Sequence, residues 1–125
     1  MNNEDIIQRA EEYCRQETHP EFKNQVRILL EKEDYTELHE RFYTDLEFGT
    51  GGLRGIIGGG YNRMNPLNVQ KTTEWLAQYV LQAFPESKQP SAVIAFDSRH
   101  YSDIFAEIAA RACAACGITC YLITA

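Results

Sequence analysis

No stretch of this sequence approaches the roughly 18 consecutive apolar residues of a membrane-spanning helix, which argues against a transmembrane segment. Positive charge is also in short supply. Twelve Lys and Arg stand against eighteen Asp and Glu, for a net charge of −6. Without a basic stripe to displace counterions, the charge balance argues against general nucleic-acid binding. A signal peptide needs a basic, then apolar, start; here Met1 is followed by Asn2, Asn3, Glu4 and Asp5, so a cytoplasmic protein is expected. Histidine is rare, with three in the chain. Cys113-x-x-Cys116 with Cys120 invites a metal or redox reading, but no histidine lies nearby to complete a zinc site. In an Ala-rich helix these cysteines read as small core residues. Two phosphate fingerprints are missing as well. The glycines do not spell G-x-x-x-x-G-K-[ST], since no lysine follows, and from Gly49 and Gly51 the third position of G-x-G-x-x-G is Arg54.

What is present divides unevenly. A length of 125 residues suits one domain with a modest core. Residues 1–47 carry thirteen acidic against six basic side chains, and residues 48–125 carry five against six. The first segment reads as an all-helical arm. Ile6, Ala10, Tyr13 and Cys14 recur at helical spacing. Pro20 suits the first turn of a second helix with Phe22, Val26, Leu29 and Leu30 as its stripe. Tyr35, Leu38 and Phe42 mark a third. The acids between these stripes are read as solvated faces.

Seven of the eight glycines then fall between Gly49 and Gly60. Such density implies tight turns or close approach to the main chain, with Leu53 to Ile57 as a short strand inside it. Asn65-Pro66 opens a helix, Asn as N-cap and Pro at the first position. Its stripe is Val69, Thr73, Leu76, Val80 and Phe84, widened by Trp75 and Tyr79, and Pro85 ends it. The last third predicts a β-α-β unit. Ala92 to Phe96 is a buried strand, Ser102 caps a helix running through Cys116, Gly117 closes it, and Ile118 to Ile123 return parallel to the first strand by a right-handed crossover. The fold class is therefore α/β, a layered α/β/α domain with a mixed, mostly parallel sheet and an N-terminal helical arm. The domain boundaries are 1–47 for the helical extension and 48–125 for an incomplete α/β domain.

Chemistry is expected at two places. In open α/β sheets ligands bind beyond the carboxyl ends of parallel strands, which points to Asp97-Ser98-Arg99-His100. Arg99 can fork onto a phosphate with Asp97 or His100 orienting it; equally, Asp97 and Ser98 can shape a turn with Arg99 in solvent. The second place is Thr50, Gly51 and Arg54. A guanidinium held among glycine N–H groups suits an anion, although a purely structural glycine turn has the same composition.

Three segments also carry a resemblance. Glu47-Phe48-Gly49-Thr50-Gly51-Gly52-Leu53-Arg54-Gly55, Asn62-Arg63-Met64-Asn65 and Ala95-Phe96-Asp97-Ser98-Arg99-His100 resemble, in order and spacing, the opening of the α-D-phosphohexomutases. The likeness is to the phosphoglucomutase/phosphomannomutase branch with a helical amino-terminal extension, and it covers essentially the whole chain. It implies a four-domain enzyme that interconverts hexose 1- and 6-phosphates. A phosphoserine and a hexose 1,6-bisphosphate intermediate carry the phosphoryl group, with Mg²⁺ neutralising charge. Arg54 would then contact a substrate phosphate with Thr50 and Gly51 beside it, while Arg99 and His100 line the same cleft more peripherally.

The resemblance also implies what residues 1–125 do not contain. The serine loop, typically Thr-Ala-Ser-His-Asn-Pro, is absent, and so are the aspartate-rich metal loop and the sugar-selecting loop. Ile123-Thr124-Ala125 mimics the start of the serine loop but belongs to the returning strand. The expectation is an amino-terminal fragment with no catalytic residue and no metal ligand of its own. It is expected to be inactive alone, marginally stable or prone to associate, and partnered by the remaining domains of its polypeptide and a phosphorylated sugar. The alternative is a non-catalytic phosphosugar-binding or assembly module.

Overall fold

The computed structural model describes residues 1–49, 52–53, 55–83, 90–96 and 101–124. They form two compact units, Met1–Asn68 and Val69–Ala125.

In the first unit, helix α1 (Asn3–Gln16) starts where the Asn2 side chain accepts the Asp5 N–H at 2.9 Å. Helix α2 (Pro20–Glu31) begins on its proline, and α3 (Tyr35–Phe42) begins at Asp34, whose side chain accepts from the Glu37 N–H. Each helix buries the stripe that its spacing predicts. Ile6, Ala10, Tyr13, Cys14, Phe22, Val26, Leu38 and Phe42 are buried, with Leu29, Leu30 and Tyr35 packed at the core margin. At the centre, Tyr13, Phe42 and Tyr61 meet edge to face, with centroids 5.4 to 5.7 Å apart. Each fully buried large apolar side chain contributes about 1.5–3 kcal/mol relative to an exposed one, so this trio is a substantial part of the unit's core.

One acid departs from the solvated-face expectation. Glu17 is 1% exposed. Its Oε1 accepts the Tyr13 hydroxyl at 2.9 Å and the Leu67 N–H at 3.3 Å, so the carboxylate has partners in place of water. Sequence spacing alone put it on a wet face; the hydroxyl one helical turn earlier and the free N–H at the start of a later helix hold it inside.

Of the expected strand from Leu53 to Ile57, the described residues show two short pairings, and Arg54 lies outside them. Strand β1 (Phe48–Gly49) pairs antiparallel with β2 (Gly52–Leu53), with Gly49 opposite Gly52. Beyond it, Ile57 makes an isolated parallel bridge to Met64. Glycine on both sides of residues 56 and 57 weakens an extended ladder, and among the described residues the pairing here consists of these short contacts.

Helix α4 (Pro66–Ala83) opens with Asn65 as its cap. Asn65 Oδ1 accepts the Asn68 N–H at 3.0 Å. Its expected stripe is only partly correct. Val69 and Ala77 are buried, Thr73 and Val80 are half-buried, but Leu76, Trp75 and Tyr79 are exposed. The small Ala77, not the large neighbours, joins the buried cluster with Cys113 and Ile118. Phe84 and Pro85 lie outside the described residues.

The second unit completes the α/β pattern. Strand β3 (Ser91–Phe96), helix α5 (Ser102–Ala115) and strand β4 (Thr119–Thr124) form a β-α-β unit. Its strands are parallel, in register from Ser91↔Thr119 to Phe96↔Thr124. Ala77, Cys113 and Ile118 form its core, with Val80, Ala92, Cys116 and Cys120 packed around them. The helix stops as its sequence requires. Gly117 takes φ +82°, its N–H donates to the Ala114 carbonyl, and the Ile118 N–H donates to the Cys113 carbonyl, which is the Schellman arrangement. The start differs from expectation by one residue: Tyr101, at φ +70°, is the capping position, its side chain making no capping hydrogen bond, and Ser102 is the first helical residue.

Candidate functional site

Thr50, Gly51, Arg54, Arg99 and His100, the five residues singled out from sequence, all lie outside the described residues, as do Asp97 and Ser98. The structure describes what surrounds the first group in the chain. The glycine segment is tied down before and after residues 50–54. Before it, the Leu46 N–H donates to the Tyr61 carbonyl at 2.9 Å. After it, the Met64 N–H donates to the Ile56 carbonyl at 2.8 Å and the Gly58 N–H to the Met64 carbonyl at 3.1 Å.

Two asparagines gather the carbonyls of this turn. Asn65, fully buried, donates through Nδ2 toward the carbonyls of Gly60 (2.7 Å), Gly58 (3.0 Å) and Arg63 (3.2 Å). Asn68 donates toward Arg63 (2.7 Å) and Tyr61 (2.9 Å). A buried carbonyl without a partner is costly, so the pair fixes the path of residues 58–63. They sit three apart across a helix start, as cap and third helical residue; that spacing was legible as a cap but not as a carbonyl-collecting pair.

The Asn62-Arg63 motif closes helix α3. Its last carbonyls lack helical partners. Asn62 Nδ2 and Arg63 NH1 donate to the Glu40 carbonyl, the Asn62 N–H to the Arg41 carbonyl, and Arg9 Nε to the Phe42 carbonyl at 2.8 Å. Arg9 also pairs with Asp45 at 2.7 Å and lies over the Tyr61 ring, 4.9 Å from its centroid.

Gly59 is enclosed by the helical arm. Its N–H donates to Gln25 Oε1 at 2.9 Å, and its carbonyl accepts from Arg41 NH1 at 3.0 Å. Arg41 NH1 also donates to Gln25 Oε1 at 3.2 Å, and Arg41 Nε to Glu37 at 3.0 Å. A Cβ at Gly59 would run into the Phe22 carbonyl oxygen, and one at Gly60, where φ is +132°, would meet the Arg41 backbone. These two glycines therefore serve close approach to helices, a structural use.

Electrostatics here concern proton retention. Burial, and then the Glu17 carboxylate, push the Tyr13 hydroxyl well above the ordinary tyrosine range. Burial and the bond to Glu12 do the same to Tyr61. In the second unit burial raises the Cys113 thiol, with Cys120 and Cys116 adding to it. All four cysteines are free, and Cys113 sits in the core as its packing reading expected. Among the described residues no group of three or more His, Cys, Asp or Glu is gathered to hold a metal ion. Among them, too, no helix is long and apolar enough to cross a membrane.

Residues 45–125 match the family model for phosphoglucomutase/phosphomannomutase, alpha/beta/alpha domain I. The chain is 40% identical over 100 residues to the phosphoribomutase of Saccharomyces cerevisiae, covering 80% of this chain and 16% of that protein. It is 33% identical over 125 residues to the phosphopentomutase of Mus musculus, covering 95% and 20%. With the phosphoglucomutase of Staphylococcus aureus it shares 39% over 97 residues, covering 78% and 17%. The chain thus spans 16% to 20% of the length of these relatives. No solved structure gives a significant match. The domain I match takes in the glycine segment, the Asn62–Asn65 turn and the β-α-β unit together, and the chain belongs to the phosphoglucomutase/phosphomannomutase family.

Proposed function

We propose that the protein carrying this chain is a phosphosugar mutase and that residues 48–125 form part of the phosphate-binding side of its cleft. The observation that carries this reading is the domain I match over residues 45–125, which contains both candidate loops. Arg54 binds a phosphate of the substrate or of the bisphosphorylated intermediate, Thr50 and Gly51 lie beside it, and Arg99 and His100 line the cleft farther out. A fixed guanidinium suits this task because its planar donors match two phosphate oxygens at once. The phosphoserine that exchanges the phosphoryl group is not in residues 1–125, so this part binds and orients, and alone it does not turn over. Residues 1–47 are a helical extension. The likeness to the mouse phosphopentomutase covers 95% of this chain and so takes in most of that extension.

Mg²⁺ in this reading is held by residues outside the chain. The described side chains do not gather a donor set for it. When bound it would supply charge neutralisation.

The substrate is a sugar 1-phosphate, exchanging with its isomer phosphorylated on the terminal hydroxyl. Hexose 1- and 6-phosphates are the first candidates. Pentose phosphates are a second, favoured by the likeness to proteins named phosphoribomutase and phosphopentomutase. Cytoplasmic residence goes with this chemistry. The test is to incubate the full-length protein with glucose 1-phosphate and, separately, ribose 1-phosphate, with Mg²⁺ and the matching bisphosphate. Conversion to the terminal phosphate is expected for at least one. Tight binding of both without conversion would favour the non-catalytic module instead.

A further inference from the structure

Three of the four cysteines, Cys113, Cys116 and Cys120, come together in the second unit. Cys113 lies near the end of α5 and is buried, Cys116 is the residue that caps that helix, and Cys120 is the second residue of β4. The Gly117 turn brings β4 back along the helix, and Cys116 and Cys120 pack against the cluster that holds Cys113 and Ile118. Ile118 and Cys120 are two residues apart and so share the side of the strand that α5 covers. Burial is the main reason that the Cys113 thiol keeps its proton, and Cys120 is the next, by its charge and through a side-chain hydrogen bond. The two thiols are not equally placed. Cys113 is enclosed, whereas Cys120 is half-buried and lines an open groove of about 470 Å³ between α5 and β4, together with Glu107, Arg111, Gly117 and Thr119. A core of small residues accounts for one buried thiol. It does not require a second thiol, in contact with the first, to border a groove that a small solute can enter. Among the described residues these thiols do not make a metal site, which leaves chemistry between the sulfurs themselves.

We propose that Cys120 and Cys113 form an oxidative modification site, in which Cys120 meets a small peroxide from the groove and Cys113 resolves the product as a disulfide. The Cys120 thiolate attacks one peroxide oxygen, the O–O bond breaks, and the sulfur becomes a sulfenic acid while the departing hydroxide takes up a proton as water. The Cys113 sulfur then attacks the sulfenic sulfur. An S–S bond forms, the S–O bond breaks, and the second hydroxide leaves with the Cys113 proton as water. In sum two thiols are oxidised to one disulfide and one hydrogen peroxide is reduced to two waters. The link ties the end of α5 to the start of β4 across the Gly117 turn, and a dithiol reverses it by exchange. This site is independent of the mutase reading.

The test uses the full-length native protein, fully reduced and then treated with hydrogen peroxide. Remaining thiols are alkylated with iodoacetamide, and the tryptic peptide that follows Arg111, which holds all three cysteines, is read by mass spectrometry. This peptide is expected to lose two hydrogens and to carry a single label, on Cys116, with dithiothreitol restoring all three thiols. Cys14, buried and in the other unit, should keep its label and serves as the internal control. Cys116→Ala should leave the link intact. Cys113→Ala should leave a sulfenic acid on Cys120 that dimedone traps, with no link to Cys116. Three labels after peroxide would overturn the proposal, as would a link that includes Cys116. A sulfinic acid on Cys120 beside a free Cys113 would overturn it too, and so would loss of the Cys14 label as fast as those of the pair.

Discussion

The two units solve burial differently. The first packs large aromatic rings and sinks a carboxylate, an asparagine and an arginine into the same core, each provided with partners. Among its described side chains the second has a core cluster of Ala77, Cys113 and Ile118, and leaves several large ones outside, with Val93 at 63%, Trp75 at 61% and Tyr121 at 57% exposure. Buried apolar area is the main source of stability. Among the described side chains, the first unit buries the larger ones and the second has several large apolar ones exposed. Exposed apolar side chains of this kind are open to contact with another surface.

This contrast can be broken by mutation. Phe42→Ala removes one ring of the central trio and is expected to cost about 3–5 kcal/mol, measured as a loss of urea midpoint. Trp75→Ala, on the exposed face of α4, should stay within about 0.5 kcal/mol of wild type, as surface changes do. Equal losses from the two would remove the distinction between the units. Next in size, Asn65→Ala strips the glycine turn of its donors and is expected to cost about 1–3 kcal/mol, because buried carbonyls lose their partners. It should also speed exchange at residues 58–63 before it affects α5.

A smaller effect follows from the two tyrosines. The folded first unit holds the Tyr13 and Tyr61 protons more tightly than the unfolded chain, whose tyrosines titrate near the ordinary value of 10.0. Above that pH the unfolded state binds fewer protons than the folded state, so stability falls as pH rises. Below it the contribution is fully present. Unfolding followed by exchange should therefore show the first unit losing protection in alkali. Tyr61→Phe, which cannot ionise, should flatten part of the slope. Smallest of all, Arg111→Ala breaks only an exposed helix pair and should change stability by less than about 0.5 kcal/mol.

Much of this architecture was legible. The arm's stripes, the Asn65-Pro66 start and the Gly117 stop each rest on local chemistry, periodicity or capping, and the structure has all of them. What was not legible depends on contacts distant in sequence. Glu17 looks like any surface acid until Leu67, fifty residues on, offers its N–H. The α4 stripe misassigned Leu76, Trp75 and Tyr79 because periodicity finds an apolar face but not the size of the core it meets. Gln25 and Arg41 carried no signal, since a polar residue on a helix is read as solvated unless its partner is known. Gly58 to Gly60 gave half of the answer: close approach was expected, but the approaching groups are the arm's helices. The candidate residues Thr50, Gly51, Arg54, Arg99 and His100 lie outside the described residues, and their assignment rests on the family's motifs.

The most direct test is therefore Arg54→Ala in the full-length protein, with bisphosphate affinity and sugar-phosphate turnover measured beside wild type. A phosphate-binding Arg54 predicts that affinity falls by tenfold or more, since a charge-assisted bidentate contact is worth roughly 1.5–3 kcal/mol, and that turnover falls with it. Unchanged affinity and turnover would contradict the assignment and leave the glycine segment a structural turn.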